Sequence, residues 1–230
     1  PAERDSFIGR SEPLMQLTRR FDAGARLVSV LGIGGLGKTR LVTRFGWRTL
    51  GEFAGGVWFC DLSQAHSLDG ILHAVAQGLD MPLGRGDPVV QIGQAIAARG
   101  PALVILDNFE QVTAFAGATI GQWLAHAARA RFLVTTREVL GLTGEVGLVL
   151  DPLAPLDAAE LFIARAHSIR PGWQPDEQEL DAVWPLLTLL DGLPLAIELA
   201  AARIHVMPPR VLLARMRDRF KLLTSSGSGR

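Results

Sequence analysis

Apolar residues in the first two thirds of the chain fall into short runs that do not alternate with polar ones. Residues 26–31 (RLVSVL), 56–62 (GVWFCDL), 102–106 (ALVIL), 131–136 (RFLVTT) and 146–150 (VGLVL) are five such runs. A short continuous run is the pattern of a strand buried on both faces, so these predict β-strands. Between the strands the apolar spacing changes to that of helices. Residues 38–50 carry Leu41, Val42 and Phe45 along one side, and further helices are predicted over 67–79, 88–99 and 114–128. Residues 81–88 (MPLGRGDP) read as a loop. Strands that alternate with helices imply a parallel sheet covered on both faces, an α/β fold.

Beyond residue 150 the pattern is helical only. Pro152 and Pro155 interrupt the chain there. The expected organisation is an α/β domain over 1–152, a small all-helical domain over 153–224 and a mobile Ser/Gly linker over 225–230. Asp157 with Glu160 resembles a capping box opening a helix that runs to Ile169, and Asp176 with Glu179 opens another to Leu190. Asp191-Gly192 closes that helix and Pro194 sits in the first turn of the next. Residues 193–204 are apolar nearly all round, which predicts a buried helix. Residues 208–220 form the last one.

Composition narrows the function classes. Apolar residues are 48% of the 230 and charged residues 20%, so a folded core is expected and disorder is excluded as the main state. The formal net charge of +0 argues against nucleic-acid binding by bulk charge. Arg210, Arg215, Arg217 and Arg219 form a basic stripe that reads as a solvated helix face ahead of a DNA contact. Cys60 is the single cysteine, so there is no disulfide framework and no cysteine zinc site. It reads as a small core residue, and the five histidines lack metal-ligand spacing. No apolar run approaches a membrane span, and the first five residues do not read as a signal peptide, so a cytoplasmic protein is expected. Only Lys38 and Lys221 are lysines among 23 basic residues, which draws attention to both.

Lys38 lies in Gly32-Ile33-Gly34-Gly35-Leu36-Gly37-Lys38-Thr39, which fits G-x-x-x-x-G-K-[ST]. Chance would produce this pattern about 0.002 times in a chain of this composition. It also stands after a predicted strand and before a predicted helix. Glycines let backbone N–H groups wrap a phosphate, and the helix that follows points its positive end at it. Lys38 then reaches the β- and γ-phosphates, and the Thr39 hydroxyl holds Mg2+. Asp107 ends the buried run LVILD, at the carboxyl end of a parallel strand where ligands bind. It reads as the Mg2+-shell carboxylate, against the plainer role of a helix cap. The next residue is Asn108, an amide that cannot accept a proton. Glu110 could act through a water, or face solvent. Arg137 ends the fourth strand, where a cation would sense a γ-phosphate; the plainer alternative is a surface ion pair.

Taken in order, Phe7-Ile8-Gly9-Arg10, the loop at 32–39, Leu103–Asp107, Thr135-Thr136-Arg137 and Gly192-Leu193-Pro194-Leu195 resemble the NB-ARC branch of the STAND signalling ATPases. The segments LDNFEQV (106–112) and RFKLLT (219–224) look most like the large bacterial transcriptional regulators of that branch. The resemblance covers nearly the whole chain. It implies a five-stranded parallel sheet, AAA-plus-like, followed by a helical domain that lids the nucleotide. It implies that Gly34, Gly35, Leu36, Gly37, Lys38, Thr39 and Arg40 hold the phosphates. It implies that Ile8 contacts the adenine with Arg10 close by, and that Pro194 and Leu195 approach the base from the lid. Such proteins are switches, with ADP holding a closed monomer and ATP favouring an open, oligomerising form.

Two departures bear on function. Asn108 stands where family members with paired aspartates carry an acid, so slow hydrolysis is expected. The family's winged-helix domain would follow residue 230, so the chain reads as a nucleotide-binding core, monomeric by itself. The expected function is an ATP/ADP-binding switch with slow Mg2+-dependent hydrolysis and no direct contact with nucleic acid or membrane. A small-molecule P-loop kinase and an AAA-plus motor are the alternatives. A kinase would carry an acceptor pocket and an Arg-rich lid, and a motor an arginine finger acting across subunits.

Overall fold

All five apolar runs form strands and enter one sheet. They are β1 (Leu27–Leu31), β2 (Val57–Asp61), β3 (Leu103–Asp107), β4 (Arg131–Thr136) and β5 (Glu145–Val149), in the order β2-β3-β4-β1-β5 with every pairing parallel. The structure, a computed structural model, describes residues 7–225 and side chains as far as residue 218. The expectations for the first residues and for the linker after Ser225 lie outside the described residues. The chain divides into two compact units, one of residues Ser11–Leu150 and one of residues 7–10 with residues 151–225.

In the first unit every residue of β3 is buried, as a strand flanked by β2 and β4 requires. One face of the sheet gives Cys60, Val104, Leu106, Phe132 and Val134 to a core completed by helical residues. These come from α3 (Leu68–Gly78), α4 (Pro88–Ala98) and α5 (Gln122–His126), and include Ile71, Val75, Ile92, Ile96 and Trp123. Ser67 caps α3 through Gly70 N–H, and Asp87 caps α4, with Pro88 in its first turn. α1 (Ser11–Asp22) and α2 (Lys38–Arg48) also belong to this unit, with Phe21 and Phe45 stacked at 5.6 Å between centroids. The helix expected over 114–128 is instead a 3-10 turn, a π turn over Gly117–Gly121 and the short α5. Two glycines in that stretch weaken a regular helix. Arg26 ties the end of α5 down, its Nη2 donating to the carbonyls of Leu124 and Ala127 at 2.8 and 2.7 Å.

The second unit contains α6 (Pro155–Ile169), α7 (Glu177–Leu189), α8 (Pro194–Ala201) and α9 (Pro209–Ser225) around Phe162, Leu186, Ile197 and Ala201. Asp176 caps α7, accepting from Glu179 N–H at 2.7 Å. α6 starts two residues before the Asp157 expected to cap it. Pro155, whose φ is already helical, takes the first position and leaves Asp157 inside the first turn. α8 is less buried than its composition suggests. Leu195 and Leu199, one turn apart, are 52% and 61% exposed, while Ile197, Ala200 and Ala201 face the core. Arg165 of α6 donates from Nε to Glu198 of α8 at 3.0 Å. Among the described residues no helix is long and apolar enough to cross a membrane.

Candidate functional site

The loop between β1 and α2 is shaped by its glycines. Gly35 and Gly37 have φ of 84° and 85°, the left-handed region that a side chain disfavours. Gly37 occupies the cap position of α2, so the helix begins with Lys38 and Thr39 at its positive end. Leu36 is buried and anchors the loop, while Ile33 and Gly34 stand exposed at its tip. The Lys38 ammonium folds back onto the loop, donating to Gly32 O at 2.7 Å and Ile33 O at 3.2 Å. Burial lowers its pKa, with Glu110 and Asp107 pulling the other way and Arg137 adding to the lowering. A cation held by two carbonyls among glycine amides is the arrangement that an anionic ligand would complete.

Asp107 is 2% exposed at the end of β3. Its Oδ1 accepts two hydroxyls, Thr135 Oγ1 at 2.6 Å and Thr39 Oγ1 at 3.0 Å. Both use the same oxygen, so Oδ2 takes neither. Burial raises the Asp107 pKa, the two hydroxyls oppose that rise, and the charges of Asp61 and Glu110 add to it. Asp61 belongs here because it ends β2 in register with Asp107. The hard oxygen donors Thr39 Oγ1 and Asp107 fit Mg2+, which takes one or two protein oxygens and keeps waters or phosphate oxygens for the rest.

Asn108 adopts a left-handed conformation, φ 63°, and its N–H donates to Thr135 Oγ1 at 2.8 Å. The turn that follows buries Phe109 completely in the core and brings Glu110 back toward the loop. The Glu110 side chain is 16% exposed, and its Oε1 lies 3.5 Å from Arg137 Nε. Its Oε2 is buried and has no hydrogen-bond partner. A Cβ placed on Gly34 would lie 3.9 Å from Arg137 Nη2, so that guanidinium also flanks the loop tip. Lys38, Thr39, Asp107, Glu110 and Arg137 thus converge at one end of the sheet, and Glu110 does not face solvent.

The other expected residues are placed as follows. Arg40 is half-buried in the first turn of α2. Ile8, Arg10, Pro194 and Leu195 belong to the second unit. Ile8 packs on that unit's core. Arg10 is buried, donating from Nη1 to Asp151 O at 2.7 Å. Burial lowers its pKa, against the nearby Asp157 and Asp151. Pro194 opens α8 half-buried, and Leu195 is largely exposed. Cys60 is fully buried, and burial pushes its thiol up to about 12, so it is inert core. Arg210, Arg215 and Arg217 are exposed, and the Arg219 side chain lies outside the described residues. Two groups of the site carried no assigned role in the sequence reading: Thr135, which clamps Asp107, and Asp61. The pair of threonines that follows the apolar stretch of β4 was the available signal for the first.

No family model matches the chain. It is 33% identical over 222 residues to the uncharacterized protein Rv0894 of Mycobacterium tuberculosis, covering 96% of this chain and 56% of that protein. It is 31% identical over 205 residues to the putative HTH-type transcriptional regulator Rv0890c of the same organism, covering 89% of this chain and 23% of that protein. The chain therefore spans about half the length of the first relative and about a quarter of the second. Among solved structures it is similar to the Aeropyrum pernix Orc1 protein in complex with DNA, with a TM-score of 0.64 at 18% identity over 94% of this chain and 66% of that one. It is also similar to domain III of the Thermotoga maritima replication initiation protein DnaA, with a TM-score of 0.58 at 14% identity over 93% of each chain. These structures share its fold. With its glycine loop and parallel β2-β3-β4-β1-β5 sheet, the chain has the P-loop ATPase fold of these structures, and its relatives include a putative bacterial transcriptional regulator.

Proposed function

We propose that this chain is an adenine-nucleotide switch, the regulatory core of a cytoplasmic bacterial signalling or transcription regulator, with slow Mg2+-dependent hydrolysis of ATP. The observation that carries the reading is the convergence of Lys38, Thr39, Asp107, Glu110 and Arg137 on the glycine loop. Lys38 and the loop amides of Gly34, Gly35, Leu36 and Gly37 bind the β- and γ-phosphates, beside Arg40. Thr39 and Asp107 hold Mg2+, which neutralises phosphate charge when bound. Thr135 keeps Asp107 aimed. Arg137 meets the terminal phosphate, and Glu110 offers the free carboxylate oxygen that can orient a water. Ile8, Arg10, Pro194 and Leu195 take the adenine on the family resemblance.

Turnover is slow in this reading because the residue beside Asp107 is the amide Asn108. On the family resemblance the chain alone is a monomer, and nucleotide drives assembly only of a longer protein. The test is the nucleotide released when purified protein is denatured, followed by turnover with Mg2+·ATP, with and without candidate phosphoryl acceptors. Bound ADP or ATP with turnover below about 1 s⁻¹, the low end of ordinary enzyme rates, supports the switch. Faster turnover, or phosphate appearing on an acceptor, would replace it with an ATPase motor or a kinase.

A further inference from the structure

Glu110 and Arg137, which flank the proposed phosphate site, also touch each other. The two side chains differ in how firmly they are held. Glu110 is 16% exposed and fixed by the burial of Phe109 beside it, whereas Arg137 is 65% exposed. The contact between them is a single one, Nε to Oε1 at 3.5 Å, rather than a two-pronged fork. A pair of this kind is readily exchanged for a stronger partner. Glu110 Oε2, buried and without a hydrogen-bond donor, leaves the carboxylate with unmet demand for positive charge. Glu110 is also the strongest charge acting on Lys38, and Arg137 flanks the loop at Gly34. One carboxylate therefore draws on both cations that a nucleotide's terminal phosphate would use.

We propose that Glu110 is the residue that sets the preference of this site between nucleoside tri- and diphosphates, by holding Arg137. The proposal rests on the phosphate-site reading above. A diphosphate satisfies the loop and Lys38 and leaves the Glu110–Arg137 pair intact. A triphosphate adds a third phosphate that competes with Glu110 for Arg137. Once Arg137 transfers, Glu110 stands beside phosphate with neither oxygen paired to it. That cost falls on the triphosphate alone, so the native glutamate biases the site toward the diphosphate. Glu110 acts here as a positioning and specificity-determining residue through Arg137, and no bond is made or broken.

The test compares Kd values for Mg2+·ADP and for a non-hydrolysable Mg2+·ATP analogue in four proteins: wild type, Glu110→Gln, Arg137→Met and the double variant. Thermal unfolding confirms that each is folded. Glu110→Gln should shift the affinity ratio toward the triphosphate by about three- to tenfold. Arg137→Met should shift it the other way. In the Arg137→Met background the glutamine should move the ratio by less than about twofold, a coupling that a merely structural role would not produce. A ratio unmoved by Glu110→Gln would overturn the proposal. So would a shift that persists without Arg137, since Glu110 would then be repelling the phosphate directly. Lys38→Ala separates the two layers. Wild type that binds neither nucleotide, or binds both as well without Lys38, overturns the phosphate site and the pairing together. Lys38-dependent binding with no ratio shift overturns the pairing alone.

Discussion

Asp107 does its work against its surroundings. Burial lifts its carboxyl above the ordinary 3.8, and the Thr135 and Thr39 hydroxyls only partly offset that lift. A carboxyl whose pKa is raised on folding holds its proton more tightly in the folded chain than in the unfolded one. The stability it contributes is full below pH 3.8 and is lost as pH rises through its folded value. Asp107→Asn removes that loss and still offers an oxygen to both hydroxyls. The Tm of this variant relative to wild type should therefore climb with pH across the window above 3.8 and stay higher at neutral pH; a difference flat with pH would contradict it. The same variant should weaken Mg2+·ADP binding more than Mg2+-free ADP binding, because in the proposed site the carboxylate acts through the metal. Thr135→Val should destabilise the fold by about 1–3 kcal/mol, since it leaves the Asn108 N–H without its acceptor, and Thr135→Ser should restore most of the loss. Denaturant unfolding of the two variants checks this. Lys38 and Thr39 were legible because their motif is contiguous. The direction of Glu110 was not, because it depends on whether Phe109 is drawn into the core.

At the scale of elements, the contact between α3 and β2 is set by a missing side chain. A Cβ on Gly78 would lie 2.5 Å from Cys60 Sγ and 2.9 Å from Phe59 O, one neighbour being backbone that cannot yield. Gly78→Ala should cost about 1–3 kcal/mol by overpacking, while a glycine with open space around it, such as Gly51, tolerates alanine. Urea midpoints of Gly78→Ala and Gly51→Ala make the comparison. The five strands were legible because continuous apolar runs bounded by turns have few other uses. Their order was not, and the clamp of Thr135 on Asp107 follows from β4 lying next to β3. α1 went unread, although Leu14, Leu17 and Phe21 carry helical spacing, because polar residues dominate it. Exposed Leu195 and Leu199 show the opposite error, a short apolar helix with more apolar surface than its unit's core covers.

For the molecule as a whole, the proposed nucleotide switch gives Pro194 of the helical unit a part in holding the adenine. Pro194→Gly should then weaken nucleotide binding while leaving the sheet unit folded, which ADP titration alongside thermal unfolding would read. Whether the loop at 32–39 binds the phosphates of an adenine nucleotide is read by calorimetric titration of Mg2+·ADP and Mg2+·ATP into wild type and Lys38→Ala. Saturable binding near one nucleotide per chain is expected. Lys38→Ala should lose about 2–3 kcal/mol for the triphosphate, the worth of a charge-assisted contact with phosphate. Absence of binding to wild type, or equal affinity in Lys38→Ala, would contradict phosphate binding by that loop.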